Sequence, residues 1–286
     1  MIISLILSTL IDRPTDDRVY RGVEFIPRNI LSSLKTLLPF AKFPEMELCI
    51  DAGNTRTKLA VFRNNEIVYR RVYRSVRVSD LRSLFLRFEI QTSIISSVRK
   101  TPAAIVRYLR SRGKLIQLGS RTILPLKNRY QTPETLGNDR LAIAAGIAKL
   151  FKGKNVLAID LGTCIKYDFV NSRNEYLGGS ISPGLTMRFR ALHKYTSRLP
   201  LITPDATRSF IGRSTRESIL TGVQNGILNE VKGFIGSYKK EYGSVKVVLS
   251  GGDADRFAGQ LKLPIFAASD LVLTGLHEIL LKNVPQ

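Results

Sequence analysis

The feature that most constrains the fold is a short pattern that occurs twice at one fixed offset. Residues 48–53 (LCIDAG) match residues 157–162 (LAIDLG), and the same offset also pairs Asn65-Glu66 with Asn174-Glu175. Each copy has the order strand, glycine-containing turn, strand, short polar turn and strand. Two matches at one offset favour duplication of a domain built on a β-meander over coincidence.

Helix and strand signals around these copies predict an α/β chain. Strands are predicted at 47–51 and 245–249, and helices at 80–88, 102–111, 133–151, 213–238 and 269–282. For the helix at 133–151, Thr132 is a candidate cap and the Gly137 region a candidate interruption. Asn64-Asn65 is typical of a tight hairpin turn, because Asn tolerates positive φ. We therefore expect two similar domains, 46–156 and 157–286, each a sheet with helices packed on it.

Residues 1–45 differ in pattern from the rest of the chain. They show no regular alternation and contain Pro14, Pro27 and Pro44. Met46 opens the first strong strand, so we expect it to be the natural start and 1–45 to be a peripheral extension, with an accessory helix around 29–38 as the alternative. The longest apolar run, 2–11, is too short to span a bilayer and lacks the basic region of a signal peptide. The sequence thus predicts a cytoplasmic protein without a membrane partner.

Charge and cysteine content narrow the classes of function. The formal net charge is +21, and Lys and Arg dominate the segment 70–129. Such a field favours anionic partners, namely nucleotides, carboxylates or nucleic acid, with a merely solvated basic surface as the alternative. The two cysteines, Cys49 and Cys164, exclude a disulfide framework and fit reduced thiols. Two histidines without a Cys/His cluster argue against a zinc site.

The motif at 51–58 (DAGNTRTK) in the first copy suits phosphate binding. Asp51 ends a strand, Gly53 lets the backbone turn closely, and backbone N–H groups in such a turn form an anion site. Lys58 adds a charge that can reach a phosphate, and Asp51 would face Mg²⁺ directly or through water. A plain hairpin turn is the alternative. The second copy, 160–164 (DLGTC), has the same form, so two facing hairpins could clamp a polyphosphate across a cleft.

Two further motifs carry chemistry. Residues 249–254 (LSGGDA) put two glycines between a strand and a helix, where a flat ring or a phosphate can approach the backbone. Residues 136–142 (LGNDRLA) hold Asp139 and Arg140 amid small and apolar residues. Asp139 could accept a hydroxyl proton during phosphoryl transfer, and Arg140 offers a planar fork for a carboxylate or phosphate. A surface ion pair is the alternative. The paired hairpins are similar to those of the actin/hexokinase/Hsp70-like superfamily.

Taken in order, motifs spread over 46–286 resemble those of the type III pantothenate kinases. They are D-x-G-N-T-x-x-K, Y-x6-G-x-D-R, D-x-G-T, G-G-x-I-x-P-G, G-x-S-T-x-E and S-G-G-D-A. The resemblance implies two duplicated ribonuclease-H-like domains with a nucleotide cleft between them, assembled as a homodimer. It also implies a kinase that transfers phosphate from ATP to pantothenate, with Mg²⁺ and a monovalent cation (K⁺ or NH₄⁺) as cofactors. The product would be 4′-phosphopantothenate, the entry to coenzyme A synthesis.

The same resemblance implies roles for individual residues. Asp139 would be the catalytic proton acceptor, and Asp160 would help bind the monovalent cation. Gly178-Gly179 and Pro183-Gly184 would shape the cleft, and Thr215 is in addition a candidate helix cap. The implied ATP-binding set is Asp51, Ala52, Gly53, Asn54, Thr55, Arg56, Thr57, Lys58 and Thr163, and the implied pantothenate-binding set is Tyr130, Gly137, Asn138, Asp139, Arg140 and Thr215.

One departure and two alternative functions accompany the resemblance. Lys166 stands where many members of that family have Thr, so a cation lies near the expected place of phosphate or K⁺. It could alter the monovalent-cation requirement or point to solvent. The basic charge motivates a nucleic-acid-binding or transcriptional accessory protein on the same scaffold, although Asp51, Asp139 and Asp160 would repel phosphodiesters. A third option keeps the fold but has a sugar or acetate as acceptor.

Overall fold

Two mixed β-sheets form the frame of the computed structural model, which describes residues 46–205, 209–261, 265–268 and 270–284. The expected extension at 1–45, with its alternative helix at 29–38, lies outside the described residues. Within those ranges the chain forms eleven strands and seven α-helices. None of these helices is both long and apolar enough to cross a membrane.

The first sheet contains five strands. They are β1 (Met46–Ala52), β2 (Thr57–Arg63), β3 (Glu66–Tyr73), β4 (Ile90–Ser97) and β5 (Lys114–Gln117), with α1 (Val78–Arg87) and α2 (Ala103–Arg110) between them in the chain. Their order in the sheet is β3-β2-β1-β4-β5, with β1 antiparallel to β2 and parallel to β4. Leu81, Phe85 and Leu109 of the two helices join the core on one face of this sheet.

The second sheet contains six strands. They are β6 (Lys127–Asn128), β7 (Asn155–Leu161), β8 (Cys164–Val170), β9 (Glu175–Pro183), β10 (Val245–Ser250) and β11 (Ile265–Ala267), and the helices α4 (Leu185–Lys194), α5 (Thr215–Tyr242) and α6 (Ala254–Leu261) cover one face. The order is β11-β10-β7-β8-β9-β6. The run β9-β8-β7-β10-β11 has the same parallel and antiparallel pairings as β3-β2-β1-β4-β5.

The predicted meander is confirmed in both copies, because β1-β2-β3 and β7-β8-β9 are each joined by antiparallel pairing. Asn64 and Asn65 have φ of 52° and 67°, as the predicted hairpin turn requires. Asn174, which the repeat aligns with Asn65, has φ of 62°. The two matched asparagines therefore adopt the same positive-φ backbone conformation in the turn of each copy.

Two helices lie between the sheets, α3 (Asn138–Leu150) and α7 (Leu271–Asn283). Side chains of a strand alternate between its two faces, so Leu48 and Ile50 face α1 and α2 while Cys49 faces the central helices. The central core takes side chains from both sheets: Cys49, Ala60, Phe62 and Ile94 from the first, and Val156, Ala158, Val170 and Val248 from the second. One apolar layer thus joins both sheets to the same pair of helices.

Glycines let α3 and α7 cross in close contact. A Cβ added at Gly275 would lie 1.7 Å from the carbonyl oxygen of Ala142, and one at Gly146 would lie 2.5 Å from that of Leu271. Real Cβ atoms do not approach other atoms so closely, so only glycine fits at this crossing. The crossing fixes α3 relative to both sheets, and with it the first residues of α3.

The helix expected at 133–151 begins later than predicted. Residues 132–136 form turns, with the Thr135 N–H bonded to the Thr132 carbonyl, and Gly137 rather than Thr132 precedes the first helical residue. The Asn138 amide donates to the carbonyl oxygen of Leu118 (3.0 Å), which ties the helix start to the segment after β5. These long-range hydrogen bonds decide the boundary, and the local pattern at 133–137 does not contain them.

The helix expected at 213–238 also has different ends. Its cap is Ser214, whose Oγ accepts a hydrogen bond from the Glu217 N–H, so the cap assigned to Thr215 is wrong by one residue. The helix continues to Tyr242 and stops at Gly243, where φ is 72°. The helices predicted at 80–88 and 102–111 are found as α1 and α2. For the one predicted at 269–282, residue 269 lies outside the described residues and α7 begins at Leu271.

Candidate active site

Two aspartates end equivalent strands and face the central helices. In β1, Leu48 and Ile50 face the outer helices, so Asp51 lies on the opposite face, at the carboxyl end of the strand. In β7, Leu157 and Ile159 face outward in the same way, and Asp160 turns inward. Both carboxylates are buried, with 8% of each residue exposed.

A third aspartate is supplied by the start of α3. Asp139 is in the first turn of this helix, where the positive end of the helix dipole favours a carboxylate. Its Oδ1 accepts a hydrogen bond from the Arg140 N–H at 2.9 Å. A Cβ at Gly137 would lie 2.7 Å from this oxygen, so the glycine makes room for the side chain to fold back. The other oxygen, Oδ2, is directed to Lys166.

Lys166 joins two of these carboxylates. Its Nζ lies 2.6 Å from Asp139 Oδ2 and 2.7 Å from Asp160 Oδ2, and only 15% of its side chain is exposed. The alternative that Lys166 points to solvent is therefore wrong. Burial alone would lower the pKa of Lys166. The carboxylates of Asp160 and Asp139 raise this pKa by a larger amount, so it ends above its usual value. The ammonium is therefore charged at neutral pH.

Strand register explains why the sequence analysis missed this role. Asp160 is the direct partner of Lys166 in the β7-β8 pair, and Asp51 is the direct partner of Lys58 in the β1-β2 pair. Side chains of directly paired residues lie on the same face of a sheet. The ungapped repeat instead aligns Lys166 with Thr57, because the turn after Asp160 is one residue shorter than the turn after Asp51. Counting strand partners outward from the two aspartates would have placed Lys166 directly opposite Asp160.

Asp51 lacks the donors that satisfy Asp160. Its buried Oδ1 has no hydrogen-bond partner among the described residues. Burial, and then the charge of Asp139, raise the pKa of Asp51 to about 6, against the lowering effect of Lys58. A nearby cation would stabilise the charged form of such a buried, unpaired carboxylate. The described residues contain no group of three or more His, Cys, Asp or Glu that could hold a metal ion. Mg²⁺ uses few carboxylates and keeps several waters, so the unpartnered oxygen of Asp51 suits it.

Asp160 is satisfied by the chain itself. Its Oδ1 accepts a hydrogen bond from Ser250 Oγ at 3.1 Å, and its Oδ2 lies against the Lys166 ammonium. Both oxygens thus already have donors. The site does not fit a further monovalent cation at Asp160, contrary to what the resemblance implies, because such an ion would have to displace Lys166.

The tips of the two hairpins meet. Thr55 Oγ1 and Thr163 Oγ1 lie 3.0 Å apart and share a hydrogen bond across the cleft. Asn54, Thr55 and Arg56 are exposed at the first tip, whose turn is closed by the Gly53 N–H bonded to the Arg56 carbonyl. Ala52 and Thr57, also predicted to bind ATP, are buried. The facing hairpins expected from the repeat are therefore adjacent in space.

Arg140 belongs to a buried polar group beside Asp139. Its Nε donates to Asp168 Oδ1 at 2.8 Å, and the Tyr176 hydroxyl donates to the same oxygen at 2.7 Å. Burial raises the pKa of Asp168 to about 6, although Arg140 and Tyr176 counteract the rise. Arg140 Nη2 is buried and has no partner among the described residues. One donor of the guanidinium therefore remains for another group.

Tyr130 covers this guanidinium. The Arg140 Cζ lies 5.5 Å from the centre of the Tyr130 ring, which also stacks on Tyr176 with centroids 6.2 Å apart. Gly178 has φ of 104°, and a Cβ there would lie 3.1 Å from the Tyr130 ring. The glycine thus permits both the backbone conformation and the approach of the ring. Tyr130, Arg140 and Asp139 form one continuous group.

Two predicted site residues lie elsewhere or have other partners. The Asn138 amide is engaged with the carbonyls of Leu118 and Ser97, so its side chain positions the helix. Thr215 is the first residue of α5 and lines a cavity of about 1030 Å³ together with Arg188, Arg213 and Ser214. Asp51, Asp139 and Asp160 are not among the residues that line this cavity. The structure brings the three aspartates together but does not bring Thr215 to them.

Solved structures with related folds support the architecture. A protein named as a 2-dehydro-3-deoxygalactonokinase from Sinorhizobium meliloti superposes with a TM-score of 0.53 at 14% identity, over 84% of this chain and 100% of that one. A protein named as a Baf family transcriptional activator from Campylobacter jejuni gives a TM-score of 0.50 at 20% identity, over 82% and 98%. At such identities the likeness shows the fold alone, a mixed α/β fold.

Sequence relatives are much closer. The type III pantothenate kinase of Christiangramia forsetii is 44% identical over 243 residues, which cover 84% of this chain and 100% of the relative. That of Bacteroides fragilis is 41% identical over 240 residues, covering 83% and 98%. The family model for type III pantothenate kinases matches residues 47–237. With the convergent aspartates on the same stretch of chain, these matches show that the chain belongs to the type III pantothenate kinase family.

Proposed function

We propose that this chain transfers the γ-phosphoryl group of ATP to the hydroxyl of pantothenate, the first step of coenzyme A biosynthesis. The observation that carries the proposal is the convergence of Asp51, Asp139 and Asp160 where the carboxyl ends of β1 and β7 meet the start of α3, in a chain of this family. A phosphoryl transfer through a loose transition state needs little covalent chemistry from the protein. Positioning and charge supply most of the rate enhancement.

The ATP phosphates would lie against the two hairpin tips, next to the point where Thr55 and Thr163 meet. The exposed turn 53–56, with Lys58 behind it and Thr163 opposite, supplies backbone N–H groups, hydroxyls and one ammonium. Asp51 would hold Mg²⁺, since its buried Oδ1 has no other partner among the described residues. When bound, Mg²⁺ neutralises charge on the phosphates. A cation there would also lower the pKa of Asp51, which burial and Asp139 raise in the free protein.

Asp139 is the proposed proton acceptor for the pantothenate hydroxyl. The Arg140 N–H and the Lys166 ammonium each hold one of its oxygens, so the carboxylate has a fixed orientation before substrate arrives. The carboxylate of pantothenate would pair with Arg140, whose Nη2 is unpartnered among the described residues, and the Tyr130 ring would cover it. Thr215 and Asn138 stay predictions as pantothenate contacts, one in a separate cavity and the other engaged with backbone carbonyls.

The finer features of the fold and assembly belong to the same proposal. The matching strand orders support two duplicated ribonuclease-H-like domains, with a division near the start of β7 into 46–156 and 157–286. We further propose a homodimer that acts in the cytoplasm. The +21 charge motivates the nucleic-acid-binding alternative, and the sequence relatives favour the kinase over it.

The test is a coupled ADP-release assay with pantothenate, sugars and acetate as acceptors. We expect turnover with pantothenate, and the Asp139→Asn variant should keep its fold and lose about 100- to 10,000-fold in kcat, the usual contribution of an acid–base residue. Asp255→Asn, at an exposed acid in α6, serves as the control and should behave as the wild type. A near-normal rate for Asp139→Asn would reject this residue as the base, and turnover of another acceptor alone would reject pantothenate.

A further inference from the structure

We propose that the Lys166 ammonium takes the place of a monovalent cation at Asp160, so that this kinase turns over without added K⁺ or NH₄⁺. Lys166 is a positioning residue in this view, because it acts on the reaction through Asp139 and Asp160. The inference rests on the proposed function, and it concerns a residue to which the resemblance assigned no role.

The Lys166 ammonium already lies against both carboxylates. Lys166 Nζ lies 2.6 Å and 2.7 Å from oxygens of Asp139 and Asp160, which are hydrogen-bonding distances for a charged pair. The remaining oxygens of these carboxylates accept hydrogen bonds from Arg140 and Ser250. A K⁺ ion at Asp160 would therefore have to compete with the Lys166 ammonium for the carboxylate. The two positive charges would also repel each other in a site largely shielded from water.

The ammonium has the properties that a bound cation would supply. It carries one positive charge, it is close in size to NH₄⁺, and it bridges the second hairpin to the start of α3. Because it is tethered to β8, opposite Asp160, it occupies the site at any concentration of salt. The net rise in the pKa of Lys166 above its usual value keeps it charged.

The charge balance of the group supports this role. Asp139 and Asp160 together bring two negative charges near Asp51, and both raise its pKa. Lys58 and Lys166 lower that pKa, so the site balances three carboxylates with two lysines before any metal binds. Without Lys166, the remaining repulsion would favour an external cation.

The first arm of the test uses the wild-type enzyme. ADP release with pantothenate is measured from 0 to about 100 mM KCl. Tetramethylammonium chloride holds the ionic strength constant, so that only the concentration of K⁺ changes. We expect rates that agree within about twofold. A wild-type rate that rises tenfold or more with K⁺ or NH₄⁺ would overturn the proposal.

The second arm uses Lys166→Met, with Lys152→Met at an exposed position as the matched control. We expect the Lys166 variant to be slow without K⁺ and to regain a large part of its rate as K⁺ or NH₄⁺ is added, while the control stays independent of K⁺. A folded Lys166→Met enzyme that is fully active without K⁺, or inactive at every K⁺ concentration, would contradict the proposal.

A binding readout separates this proposal from the kinase assignment. Thallium NMR with Tl⁺, and the shift of the melting temperature with K⁺, report a cation site without turnover. We expect no saturable Tl⁺ binding and no specific K⁺ shift in the wild type, and both in Lys166→Met. If no acceptor is phosphorylated, the proposed function fails, but these two measurements still decide whether Lys166 occupies a cation site.

Discussion

Asp51 and Asp160 hold the same place in their strands but differ in their partners. Asp160 has a donor for each oxygen, whereas Asp51 Oδ1 is buried without a partner among the described residues. The pKa of Asp51, raised to about 6, exceeds the ordinary value of 3.8, so the folded state binds this proton more tightly than the unfolded chain does. Stability therefore falls as the pH rises from about 4 to about 6, and the cost persists above that range.

Substitution at the two positions should accordingly have opposite effects in the absence of nucleotide and metal. Asp51→Asn removes the buried charge and should stabilise the protein at pH 8 by up to about 3 kcal/mol, at about 1.4 kcal/mol per pH unit. Asp160→Asn deprives Lys166 of an ionic partner and should lower the free energy of unfolding of the protein by about 3 kcal/mol. Urea unfolding at pH 5 and pH 8 measures both. The Asp51→Asn gain must be larger at pH 8, and a gain that shrank with rising pH would show the opposite sign of linkage.

At the scale of elements, local signals predicted the meanders and most helices, but they did not predict the start of α3. The apolar strand residues and the asparagine turns that join the strands are close in sequence, so both meanders could be read from the sequence. The start of α3 depends on hydrogen bonds from Asn138 to distant carbonyls, which no local window contains. The role of Lys166 depends on a turn one residue shorter than its counterpart, and an ungapped repeat hides that difference.

The crossing of α3 and α7 is the element contact that holds Asp139 in place. Gly275→Ala would put a Cβ 1.7 Å from the Ala142 carbonyl oxygen, so the helices must separate, at a cost of about 3 kcal/mol or more. We expect a lower melting temperature and also a lower kcat, since α3 carries Asp139, the proposed proton acceptor. Gly236→Ala in α5 is the control: nothing lies within 4 Å of its added Cβ, and alanine should add up to about 1 kcal/mol. Equal melting temperatures for the two variants would contradict the close crossing.

At the scale of the whole molecule, the central layer makes the two halves depend on each other. Cys49, Phe62 and Ile94 of the first sheet and Val156 and Ala158 of the second pack in one core around α3 and α7. Unfolding either sheet would expose the faces of both central helices to water. The loss of this shared apolar contact is the physical reason to expect cooperative unfolding, although the two halves have similar topologies and could otherwise unfold separately.

We therefore predict a single unfolding transition for residues 46–284, with equal calorimetric and van't Hoff enthalpies. In the proposed binding mode the nucleotide contacts both hairpin tips and hence both halves, so Mg-ATP should shift the whole transition, by about 2.7 kcal/mol at a hundredfold excess over its dissociation constant. Differential scanning calorimetry with and without Mg-ATP is the measurement, and Mg-AMP, which lacks the β- and γ-phosphates, is the control that should shift it less. Two resolved transitions, of which Mg-ATP moves only one, would mean that the central helices belong to one half and that the cleft is not closed from both sides.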